Sequence, residues 1–205
     1  WFISALPAYY YQNEKISLRE RMGTIKVNEI FEAALGKING EFESWLKKEK
    51  VKIEPKAINI VAGVIYKNDL IFTATGKIKT LLIYPETAPA ADDLLDNSKK
   101  IYKIANVSGT EAGDKKVHLN KIFSHLTEGR IPAEGYLIFS NETLPEYINS
   151  RHLTKIITTL PPVSAIEYLK NQLHKINSYV TFLALIIKSS TTPPIKRSLP
   201  KMQVN

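Results

Sequence analysis

Cysteine is absent from the 205-residue chain. Disulfides, thiolate metal sites and cysteine nucleophiles are therefore excluded, although that absence does not decide the compartment. Long apolar runs are missing too, and none reaches the roughly 18 residues that a bilayer span needs. No serine lies in a G-x-S-x-G elbow, and there is no P-loop or dinucleotide fingerprint. Gly109 and Gly113 fall in a turn with no helix pattern after them. His118, His125, His152 and His174 lack metal-ligand spacing. Asp92, Asp93 and Asp96 lack the alternating ligands and the glycine of a calcium loop, and read as a solvated loop. Neither an initiator methionine nor a signal-peptide pattern stands at Trp1-Phe2-Ile3. The chain is therefore expected to be part of a longer one, with the cytoplasm the favoured compartment and membrane attachment through its flanks left open.

What is present is an ordinary globular composition with a formal net charge of +8. The lysines are spread along the whole length. The densest run, 47–56, interleaves glutamates and holds no aromatic residue. A nucleic-acid groove presents a one-sided basic stripe with stacking side chains, so a solvated surface is the better reading and nucleic acid is not the expected partner. The length suits one substantial core. The expected organisation is one domain over 1–188 and a basic, proline-containing tail over 189–205.

Along the chain, 2–6 is expected as a strand that Pro7 ends, followed by Tyr9-Tyr10-Tyr11 as core or edge packing. The clearest helix covers 24–48. Val27, Ile30, Ala34, Ile38, Phe42 and Trp45 recur at three- and four-residue steps, broadened by Phe31, Leu35 and Leu46. Thr24 is the expected cap. Gly36 and Gly40 weaken that helix by about 1 kcal/mol each, and close approach of a neighbouring backbone is the expected compensation. From Ile58 the period becomes two, giving strands at 58–66, 70–75 and 78–84 with turns at 67–69 and 76–77. Both faces are apolar, so both are expected to be covered. Residues 85–100 read as a loop, 101–107 as a strand, 117–124 as a short strand or turn, and 135–140 as a buried strand. Short helices at 144–148 and 153–160 precede a helix at 163–174 with Val163, Ile166, Leu169 and Leu173 facing inward. Residues 179–188 are expected as a last buried strand. This order predicts an α+β domain: an antiparallel β-sandwich flanked by helices.

The most site-like place is Ser140-Asn141-Glu142, a polar turn at the end of a core strand, expected to present its side chains to solvent. Glu142 and Glu146 read equally as a surface face or as an acid/base pair.

Three stretches resemble the metal-dependent Ser/Thr protein phosphatases, the PPM family: the 24–48 helix ahead of Asp69-Leu-Ile-Phe-Thr-Ala-Thr-Gly-Lys77, the strand-turn-helix at 135–148, and the close at 171–187. The resemblance implies α/β/β/α layers. In that family two manganese or magnesium ions are held by carboxylates that activate the attacking water. It also implies that Asn141 stands where the family has an aspartate, Glu142 where a glycine follows it, and Asn177 where the last aspartate falls. The family's amino-terminal Asp-Gly-x-Gly-Gly has no counterpart, and Ser4-Ala-Leu-Pro-Ala8 stands there. Each Asp-to-Asn exchange removes one negative charge from a metal site. The expectation is a degenerate, non-catalytic domain with no metal or other cofactor and no catalytic residues, acting through a protein partner. The alternatives are a working phosphohydrolase whose ligands come from Glu142, Asp69 or Asp114, and a nucleic-acid-binding domain.

Overall fold

The computed structural model describes residues 1–12, 26–66, 69–86, 101–108, 117–176 and 179–190. Seven strands form two antiparallel sheets among them. β1 (Ile60–Tyr66), β2 (Asp69–Thr75) and β5 (Thr127–Arg130) lie in the order β1-β2-β5. β3 (Ile78–Glu86), β4 (Ile101–Asn106), β6 (Tyr136–Asn141) and β7 (Ala184–Lys188) lie in the order β4-β3-β6-β7.

Alternation along each strand builds the layers. Leu70 and Phe72 of β2 meet Leu137 and Phe139 of β6 between the sheets, with the Phe72 and Phe139 rings edge to face at 5.1 Å. The other face of the first sheet, Ile60, Ala62, Val64 and Ile71, is covered by α1 (Phe2–Tyr11) and α2 (Val27–Lys48). The other face of the second sheet, Leu81, Ile83, Tyr136 and Ile138, is covered by α3 (Thr143–Tyr147), α4 (Ser150–Thr159) and α5 (Pro162–Ile176). The result is a sandwich with helices outside both sheets, as the period-two runs with two apolar faces require.

Helix α2 buries Val27, Ile30, Phe31, Ala34, Leu35, Ile38, Phe42 and Leu46 in one stripe. It ends at Lys48, and beyond it Lys50, with a left-handed φ of 55°, lets the Val51 N–H donate to Leu46 O at 3.0 Å. Asn39 fastens the 117–126 segment to this helix, its Nδ2 donating to Phe123 O at 2.7 Å and its Oδ1 accepting the Phe123 N–H at 2.9 Å.

Several expectations are corrected. Residues 2–6 belong to helix α1, not to a strand: Phe2, Ala5, Leu6, Tyr9 and Tyr10 follow helical spacing and pack on α2, while Pro7 lies on the exposed side. Trp1 stacks on Trp45 with centroids 5.4 Å apart. A Cβ at Gly36 or Gly40 would meet nothing within 4 Å, so no close backbone compensates those glycines. Val163 and Ile166 are exposed, and the inward stripe of α5 is Ala165, Leu169 and Leu173. The last strand starts only at Ala184, and Tyr179 is 97% exposed. Residues 117–124 form a turn, one of the two forms expected, closed by one isolated bridge, His118 to Lys121. Strand β5, not anticipated at all, pairs with β2 from Asp69↔Arg130 to Phe72↔Thr127. Thr24, Asn177, Asp114, the three aspartates at 92–96 and the tail beyond Ser190 lie outside the described residues.

Candidate functional site

The corner around Asn141 is built by register. β3 and β6 pair from Ile83↔Tyr136 to Ile78↔Asn141, which sets the Gly76-Lys77 turn beside the end of β6. Gly76 has φ +81°, and a Cβ there would lie 2.0 Å from Ile58 O, so the turn needs glycine. Asn59 Oδ1 accepts the Lys77 N–H at 2.6 Å and fixes the turn from the other side. Lys77 Nζ then reaches across to Glu142 Oε1 at 2.8 Å. The Glu142 carboxylate holds the Lys77 ammonium above the usual lysine pKa, first by the hydrogen bond and then by charge.

Asn141 is committed to main chain. Its N–H donates to Leu183 O at 3.1 Å, its Nδ2 donates to Thr181 O at 2.7 Å, and its Oδ1 accepts the Leu183 N–H at 3.3 Å. The side chain thus prolongs the β6–β7 ladder past Ala184, holding residues 181–183 against the strand end. Neutral amide chemistry is needed for that pairing, because a carboxylate has no donor to offer a carbonyl. Ser140, expected at the surface, is 2% exposed and faces the helical layer; its Oγ has no hydrogen-bond partner among the described residues.

The carboxylates considered as replacement ligands are separated by the strand between them. Glu142 sits at the Thr75 end of β2 through Lys77, whereas Asp69 begins β2 and pairs with Arg130 at 2.6 Å. Seven residues of strand put about 20 Å between those ends. Among the described residues no three His, Asp or Glu side chains come close enough to hold an ion. One carboxylate already balanced by an ammonium, beside an amide whose polar atoms are used, does not fit a two-metal centre.

The fold defines a class: the chain has the fold of the PPM-type Ser/Thr phosphatases. It is similar to PppA, a key regulatory component of the T6SS in Pseudomonas aeruginosa, with a TM-score of 0.54 at 10% identity over 78% of this chain and 68% of that one. It is similar also to the Mycobacterium tuberculosis serine/threonine phosphatase PstP/Ppp, with a TM-score of 0.54 at 8% identity over 80% and 72%. A bacterial serine phosphatase aligns with a TM-score of 0.51 at 10% identity over 76% and 66%. No protein-family model and no curated protein matches the sequence. At such identities the likeness establishes the fold.

Proposed function

We propose that this is a non-catalytic phosphatase-like domain that works as a protein-binding or regulatory module, with residues 1–188 as the module and 189–205 as its linker. The observation that carries the reading is Asn141. Where the resemblance places a ligand aspartate, the chain has an amide whose oxygen and nitrogen both serve the main chain of residues 181–183. The neighbouring Glu142 is neutralised by Lys77. No metal or other cofactor is assigned to the domain. Among its structural neighbours PppA is described as a regulatory component, and a regulatory role here agrees with that.

Calorimetric titration with manganese, run beside an assay on a generic aryl phosphate, tests the reading. The expected result is no heat of binding at millimolar metal and no turnover. Micromolar binding accompanied by turnover overturns it.

A further inference from the structure

The apolar surface of the molecule is unevenly distributed. Val163 and Ile166 of α5 are 69% and 54% exposed, and Leu183, which lines the same groove as Ile166, is 66% exposed. Between α5 and β7 runs a groove of about 350 Å³, walled by Ile166 and Leu173 on the helix and by Phe182, Leu183 and Ile186 on the strand side. Among the described residues its ionisable lining groups are Lys170 and His174, one turn apart on α5, and neither has an acidic partner there. The far wall is an edge: among the described residues β7 pairs with β6 alone. Strand β5 carries Glu128 and Arg130 on its edge, and β4 carries Lys103. Ala184-Leu185-Ile186-Ile187, like edge strand β1, has no charge or proline to discourage pairing, and β7 is the uncharged edge that borders this groove.

We propose that this groove seats an extended, acidic segment of a partner protein, which adds a strand to β7, drops apolar side chains against Ile166 and Ile186, and places carboxylates near Lys170 and His174. The proposal rests on the protein-binding reading above and deepens it. Strand addition draws affinity from main-chain hydrogen bonds and specificity from the side-chain pockets beside the edge. The charge of the occupant follows from the Lys170 ammonium, which has no acidic partner among the described residues, on a chain of formal charge +8. A second copy does not fit as well, because a two-fold contact would bring each lysine-lined groove against its own image. A membrane surface does not fit either, since it offers nothing to a concave groove or to free backbone groups.

Fluorescence anisotropy of the whole chain with two labelled peptides tests this. Both are the length of β7 with valine at alternate positions; one has glutamate between the valines and the other lysine. The expected result is binding of the glutamate peptide only. Ile166→Asp and Lys170→Glu, both at exposed or groove-lining positions, should each weaken it by about tenfold or more with an unchanged circular dichroism spectrum. Failure of the glutamate peptide to bind, equal binding of both peptides, or indifference to both substitutions overturns the proposal. So does dimerisation, or binding to phosphatidylserine vesicles, that Ile166→Asp abolishes in place of peptide binding. If the peptides fail while manganese stays silent, only this surface falls. Manganese-dependent turnover removes the non-catalytic reading whatever the peptides do.

Discussion

Helices α2 and α5 lie across the two outer faces of the sandwich, and they use their apolar residues differently. Helix α2 is pressed between the first sheet and α1, and its stripe from Val27 to Leu46 is buried. Helix α5 has the second sheet on one side and α4 beside it. It buries Ala165, Leu169 and Leu173 but leaves Val163, Ile166 and Ile176 more than half exposed. The same helical period produces a core in one place and a surface in the other. What differs is whether a further element arrives to cover the helix. Apolar area that the fold itself does not cover is where association with another molecule gains most.

Substitutions can break or sharpen that contrast. On the buried side, Phe42→Ala removes a ring that is 2% exposed and touches Phe2, Trp1 and Trp45, and should cost about 3–5 kcal/mol in urea unfolding. Asn141→Asp attacks the α5 side alone. It removes the donor to Thr181 O and sets a carboxylate against that carbonyl, loosening the segment that walls the groove. A loss of about 1–3 kcal/mol is expected, with no recovery on adding manganese; a manganese-dependent rise in the unfolding midpoint would contradict the account of this corner.

Smaller effects follow. Gly36→Ala and Gly40→Ala, with open space at each Cβ, should each raise the stability of α2 by about 0.5–1 kcal/mol. Ile166→Asp on α5 should change stability by no more than about 0.5 kcal/mol while it disrupts the groove, the reverse of Phe42→Ala. The smallest effect is a pH dependence on the alkaline side. The folded state raises Lys77 above 10.5 through Glu142, and Tyr9 above 10.0 through its hydrogen bond to Glu41. Both groups hold protons more tightly when folded, so their contribution is full below those values and is lost as pH rises past the raised ones. Thermal midpoints should fall slightly above about pH 10.5, and Lys77→Met should flatten the Lys77 part of that fall.

The sandwich itself was legible because its signals are local. Period-two runs from Ile60 to Ile83, the strand at Tyr136 to Ser140 and the α2 stripe each specify one element without reference to the rest. Other elements were not. In α1, Phe2, Ala5, Leu6, Tyr9 and Tyr10 carried the helical spacing, but Pro7 suggested an end to regular structure. The helix tolerates it because the proline sits on the outer face, four residues after Ile3, which is 92% exposed, so the carbonyl left without its donor lies on the solvent side. Strand β5, Thr-Glu-Gly-Arg, has turn composition and becomes a strand because β2 offers it an edge. At the candidate site, the position of Asn141 and Glu142 at a strand end could be read from the residues. Their partners, Lys77, Thr181 and Leu183, lie far off in sequence and could not.

By itself, then, the sequence determined which segments are strands and helices wherever an apolar period ran long enough to dictate a buried face. It also determined that the strand ending at Asn141 carries an amide there, not a carboxylate. Tertiary structure decided what those residues do. It paired Glu142 with Lys77 at the end of the β3–β6 ladder, kept Asp69 at the opposite end of β2, turned the Asn141 amide into part of the β6–β7 ladder, and left the α5–β7 groove open among the described residues. The physical reason is one of range. Periodicity and capping act over a few residues, whereas hydrogen-bond partners and burial depend on which strands the register brings together.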